Sequence, residues 1–481
     1  MYRLAAFLFV SFVAMCVATL GPRDVAADPA ERVVLQQQQH ELTLTVYNAD
    51  LALVHDRRHV EVSDGINRIA WRDVSAQLEP ETAILERISG GGVSVLEQNF
   101  DYDVLSPGSL LEKNVGHEVT IDHGAARDGR PRFEKATILS VTGGAVLKYA
   151  DRIETEVDGR ILYSSIPPEL RDHPTLTIEL EGSGSGEREL DLSYLTTGLD
   201  WRADYVGRVS ADEHHLDLTG LVTMTNESGT SFRDGKLLLV AGNVNVPPPT
   251  RRVMGEFPAQ AQSAYANPGG QQFTEKNFFE YHLYSLSRPT SVADHEQKQI
   301  TLLSAHNIPL VKTYELRGSP AYYRSQTPDL GERIKVGVFL SFENRGGDLG
   351  IPLPGGTVRL YKAESGGASI FLGGDHIDHT PKNETVRLHV GDAFDVTANK
   401  KQTDFKILSS LVYRSSYQIV LRNAKNERVE VLVVEPIPGD WTISATSQPF
   451  TKSSSASATW KVSVPANGSA TLTYTADVRY W

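Results

Sequence analysis

Glu41-Leu-Thr-Leu-Thr-Val-Tyr47 decides the fold class of this chain. Apolar Leu42, Leu44 and Val46 occupy every second position between polar neighbours, a period of two that buries one face of a strand and wets the other. The same alternation returns in Thr175-Leu-Thr-Ile-Glu-Leu180, Ile334-Lys-Val-Gly-Val-Phe339 and Thr471-Leu-Thr-Tyr474. No comparably long 3.6-residue pattern competes with it. Clusters of Gly, Pro, Asn and Asp interrupt the chain about every ten residues, the spacing of sandwiches and barrels. The expectation is an all-β chain built of several modules.

Five segments follow from these interruptions. Residues 1–27 read as an export signal: Arg3 gives the positive start, Leu4 to Met15 an apolar run broken only by Ser11, and Val25-Ala26-Ala27 a small-residue exit. Residues 28–108 form an N-terminal β module. In 109–170, Val119-Thr-Ile121, Ala136-Thr-Ile-Leu-Ser-Val141, Ala145-Val-Leu147 and Gly159-Arg-Ile-Leu-Tyr163 suggest a small SH3-like or Sm-like barrel, on strand spacing alone. Residues 171–309 form a central β-sandwich interrupted by a long mobile loop at 247–272. Residues 310–481 form a C-terminal β-sandwich.

Composition narrows the function. The only cysteine, Cys16, falls inside the signal, so the mature chain has neither disulfides nor thiolate chemistry. Bulky Met15 directly before Cys16 argues against lipoprotein anchoring there. No later run approaches the roughly 18 apolar residues of a spanning helix, so the mature chain has no transmembrane segment. The net charge of -13, with no basic stripe, leaves no footprint for nucleic acid. The reading is an exported protein of the periplasm or the extracellular space, of unstated oligomeric state.

Three stretches carry candidate chemistry. In Leu199-Asp-Trp-Arg-Ala-Asp-Tyr205, alternation puts Asp200, Arg202 and Asp204 on one face and Trp201, Ala203 and Tyr205 on the other. The two aspartates stand roughly 13 Å apart on an extended strand, too far for an acid and base pair. An arginine between them suits an ion-pair ladder, which keeps both ionised. In Asn277-Phe-Phe-Glu-Tyr-His-Leu-Tyr284, Glu280 and His282 share a face of a presumed strand, an arrangement that orients an imidazole as base or metal ligand, with Tyr281 facing away. In Asp375-His-Ile-Asp-His379, Asp375, His376, Asp378 and His379 are interleaved as in a metal site. On a strand the two histidines point apart, and no third ligand stands at a fixed offset. No phosphate-binding glycine loop, G-x-S-x-G elbow or H-E-x-x-H occurs, and no cofactor is implied.

Several blocks together resemble one bacterial family: Val46-Tyr-Asn48 with Leu51-Ala-Leu-Val54, Leu96 to Asp103, Leu192 to Tyr205, Asn226-Glu-Ser-Gly229 with Val240-Ala-Gly-Asn243, Glu280 to Tyr284, and Gly391-Asp-Ala-Phe-Asp-Val396. The family is called domain of unknown function 4139, some relatives of which are labelled mucoidy-inhibitor-like. The resemblance implies an exported, mainly β protein and supplies no catalytic residues. Relatives of the mucoidy type often carry a coiled-coil insertion, and no heptad stretch is present here.

Two functions compete. The first is a non-enzymatic cell-envelope scaffold that binds a protein or polysaccharide partner through loops at sandwich ends, with Trp201, Tyr205 and Tyr281 as candidate binding residues. The second is a hydrolase or metal-dependent enzyme using Glu280 and His282, with Asp200 or Asp204. An assembly subunit pairing through strand edges is a third reading.

Overall fold

The computed structural model describes residues 30–101, 104–125, 131–167, 170–242, 244–245, 272–364 and 368–481. The expected export signal lies outside these residues, as does the expected loop apart from Gln272. Among the described residues the chain is all-β, with one short α-helix, Pro107–Lys113. Ser106 explains that helix: its hydroxyl accepts the Ser109 amide and Pro107 sets the first turn.

The opening stretch behaves as its alternation requires. Leu42, Leu44 and Val46 of strand Gln39–Tyr47 are buried, while Glu41, Thr43 and Thr45 are not. This strand pairs antiparallel with Leu51–Val62 and parallel with Phe232–Ala241, inside an eight-stranded sheet that includes Phe273–Phe278, Tyr281–Leu286 and Gly186–Thr196. Facing it across the core is a five-stranded sheet ordered Glu296–Pro309, His215–Asn226, Leu199–Val209, Gly356–Ala363, Ser369–Ile377. A nine-stranded sheet from Val311 to Arg479 wraps around a second core of Tyr417, Trp460 and Tyr474.

One expectation is corrected, the closed barrel, and the strand pairing crosses the expected segment boundaries. The strands of 109–170 form an open five-stranded sheet whose end strands, Ile153–Glu154 and Arg160–Leu162, do not pair, so it is no closed barrel. Its core is Val119, Ile121, Ala136, Ile138, Leu147 and Tyr149, with Leu111, Val141, Val157, Ile161 and Tyr163 packed against it. The segments 28–108, 171–309 and 310–481 also share sheets. Gly65–Arg72 pairs with Thr175–Gly182, and Leu199–Val209 pairs in parallel with Gly356–Ala363. Strand pairing is nonlocal, and turn spacing along the chain does not reveal it.

One device recurs three times. Buried Asn226, Asn344 and Asn423 end or follow strands His215–Asn226, Ile334–Glu343 and Val412–Asn423. Each amide nitrogen donates to carbonyls of two other segments, as Asn226 does to Thr230, Val292 and Ala293. Each amide oxygen accepts a backbone N–H of its own turn, from Ser228, Gly350 and Lys425 respectively. The strand after each asparagine pairs in parallel with an earlier one: Phe232–Ala241 with Gln39–Tyr47, Gly356–Ala363 with Leu199–Val209, Val429–Pro436 with Val311–Arg317. Two of these crossings pass between sheets and the third stays within the nine-stranded sheet, each clamped by an asparagine that satisfies otherwise orphaned backbone groups.

Candidate functional site

The stretch Asn277–Tyr284 is a hairpin rather than one strand. Phe278 pairs with Tyr281, leaving Phe279 and Glu280 as a two-residue turn, and Phe279 takes a left-handed backbone angle of φ 55°. The fold-back changes the histidine's partner. His282 Nδ1 lies 2.8 Å from Glu275 Oε1 on the facing strand, while Glu280 stays exposed in the turn and makes no ion pair among the described residues. The carboxylate that orients this imidazole is thus one that the linear sequence did not single out.

His282 pairs with Ala241 at one end of the first sandwich, where the adjoining Val240 pairs with Tyr47 just before the Asn48-Ala49-Asp50 turn. His379 Nδ1 accepts the Gly355 amide at 3.0 Å, and its Nε2 lies 3.4 Å from the Asn48 side-chain amide. Burial lowers the pKa of His379, and the positive charges His282 and His376 can carry lower it further against the opposing effect of Asp378. Two candidate histidines from distant stretches therefore share one electrostatic neighbourhood. On the other side of the turn, Asp50 Oδ1 accepts the Gly198 amide at 2.8 Å. Burial raises the pKa of both Asp50 and Asp200, and proximity to Asp200 and Glu227 raises Asp50 further.

The remaining candidates are occupied structurally. Asp204 is buried, accepting from Arg359 at 2.8 Å and Thr223 at 2.9 Å, with Arg202 Nε 3.3 Å away. Tyr205 is fully buried and donates to the Pro354 carbonyl; Tyr284 donates to that of Pro352. Both hydroxyls fasten the Pro352–Pro354 segment under the sandwich, and burial lifts both phenol pKa values well above the usual range. Trp201 is buried edge-on to Tyr284 at 6.5 Å. Asp375 accepts the His376 and His389 amides, holding strand Ser369–Ile377 to its neighbour, while His376, Asp378 and His379 do not gather with it into a metal-binding group. Among the described residues no three His, Cys, Asp or Glu side chains gather in metal-binding geometry.

What this end presents outward is aromatic. Phe278 is 58 % and Phe279 85 % exposed, and Tyr281 lies half-buried against Phe279 with ring centroids 6.2 Å apart. The inner side of Tyr281 presses on the backbone at Gly242, where a Cβ would come within 2.5 Å of its ring. Gly242 also has φ 144°, which only glycine adopts readily, so two constraints fix it where the chain leaves strand Phe232–Ala241. Two surface pockets, of about 170 and 470 Å³, lie elsewhere and are lined by none of the candidate residues.

Comparison with known proteins follows from this geometry. The family described as "Domain of unknown function (DUF4139)" matches residues 190–480, more than half of the chain, and the protein belongs to that family. The match begins inside strand Gly186–Thr196, whose partner Leu51–Val62 lies outside it, so the preceding segment completes the sheet of the family region. No curated protein matches the chain.

Proposed function

We propose that this member of the DUF4139 family is an exported, non-enzymatic β scaffold of the cell envelope that holds a protein or polysaccharide partner at the Phe278–Tyr281 hairpin. The single observation behind this reading is the hairpin tip. Two phenylalanines stand in solvent on a tight turn, one of them in a backbone conformation that costs an L-residue about 1–2 kcal/mol. Exposed aromatic groups on a rigid scaffold are the usual anchors of recognition, and strain kept at such a point favours a functional origin.

The hydrolase reading is not favoured by any observation. Glu275, not Glu280, holds His282, and Asp204 is committed to Arg359 and Thr223. The export component rests on residues 1–27. The test is binding of the mature chain to isolated envelope proteins and to envelope polysaccharide by affinity electrophoresis. Replacement of Phe278 and Phe279 by serine is expected to abolish retention by one of the two; retention unchanged by that replacement, or none by the original chain, would contradict the reading.

A further inference from the structure

A second exposed apolar feature lies at the far end of the C-terminal sheet. Strands Thr385–Ser409 and Val412–Asn423 meet in a tight turn at Ser409–Val412. Turns usually carry Gly, Asn or Asp. This one is flanked by Ile407, 68 % exposed, Leu408, 49 %, and Leu411, 50 %. Strand Gly468–Arg479 runs alongside, and the Tyr480 amide donates to the Leu411 carbonyl at 2.8 Å, which brings Trp481, 90 % exposed, to the same apex.

Below the aliphatic tip lies an aromatic layer. Phe405 stacks on Tyr413 at 5.9 Å and Tyr413 meets Tyr480 edge-on at 5.6 Å. Cations collar that layer: Arg324 covers the Tyr480 ring at 4.9 Å, and Arg479 ends the neighbouring strand. Lys406 and Arg414 are paired with Asp404 and Asp477, whereas Arg324 and Arg479 make no ion pair among the described residues.

We infer that this apex inserts peripherally into the interface of a phospholipid bilayer. Aliphatic tip, aromatic layer and arginines without a carboxylate partner among the described residues follow the order of acyl region, interface and headgroup phosphate. A convex tip of four side chains cannot supply the about 800 Å² per partner of a standard protein interface, whereas a bilayer closes around it from every side. The chain's net charge of -13 makes apolar insertion, not charge attraction, the main drive.

The chain has its own reporter. Of its five tryptophans, Trp71, Trp201, Trp441 and Trp460 are buried, so only Trp481 answers to a membrane. The experiment mixes the chain from Asp28 to Trp481 with phosphatidylcholine vesicles containing phosphatidylglycerol, some with brominated acyl chains. The expected result is flotation with the vesicles, a blue shift, and quenching by the brominated lipid. The Leu408→Ser/Leu411→Ser variant should bind at least about tenfold more weakly. Trp481→Phe should lose the signal while still floating. No flotation of the original chain, flotation without quenching, equal binding by the double variant, or a dimer in solution that the double variant abolishes would each overturn the inference. The bromine readout uses the unaltered chain and does not depend on any variant folding.

Discussion

Replacing Phe279 by glycine separates the two things this residue does. The left-handed angle costs an L-residue about 1–2 kcal/mol, which glycine relieves, while the freer unfolded chain returns about 0.5–1 kcal/mol of that gain. The residue is 85 % exposed and its ring lies beside Tyr281, so little packing is lost. Phe279→Gly should therefore leave stability unchanged or raise it by up to about 1 kcal/mol in urea unfolding followed by tryptophan fluorescence. Partner retention should nevertheless fall as far as it does in Phe279→Ala, which removes the ring and keeps the angle. Improved stability with lost binding is the signature of strain retained for function. A destabilisation beyond about 1 kcal/mol would mean that the ring is structural. Undiminished binding in both variants would refute the placement of the binding surface.

Three further outcomes test the framework. In the C-terminal core Lys400 Nζ lies 2.6 and 2.7 Å from the two oxygens of Glu435, both residues almost fully buried, with Tyr323 donating to the same carboxylate; Glu435→Leu alone should cost about 3–5 kcal/mol in urea unfolding by stranding the lysine, and Lys400→Met with it should restore most of the loss. Asn226→Ala, Asn344→Ala and Asn423→Ala should each cost about 3 kcal/mol in the same assay, since each strands several buried backbone groups; a cost below about 1 kcal/mol at one site would break the equivalence of the three crossings. Glu213 lies within reach of Lys312 and Lys362, which overcome its burial and lower its pKa from 4.5 to about 2. Because the folded value is depressed, its contribution is complete above pH 4.5 and disappears as pH falls towards about 2. With over a third of the side chain exposed, that contribution stays under about 1 kcal/mol, and Glu213→Gln should flatten the acid limb of the stability profile by no more than this.

What the sequence disclosed was local. The alternation of residues 41–47 maps directly onto buried Leu42, Leu44 and Val46 because one face meets the core and the other does not. The same reading loses contrast at Thr175–Leu180, where Thr175 and Thr177 are also buried, their hydroxyls satisfied by the His173 carbonyl and by Asp101. Period two implies a wet face only where nothing covers it. The hairpin was illegible because Phe278-Phe-Glu-Tyr281 contains no Gly, Asn or Pro to announce a turn. Glu275 as partner of His282 depends on that hidden register. His282 and His379 come within electrostatic reach only after the Pro352–Gly355 segment has been fastened beneath the sandwich, and Lys400 reaches Glu435 only across the core that the nine-stranded sheet encloses. Each of these is a contact between distant strands, set by pairing rather than by residue pattern.

The most direct test of the proposed envelope scaffold places a photoreactive phenylalanine at position 279 of the full chain expressed in bacterial cells, with the same probe at buried Tyr205 as the control. The account predicts one reproducible adduct, to a protein or a polysaccharide, at 279 alone. No adduct at 279, or the same yield at both positions, would contradict it.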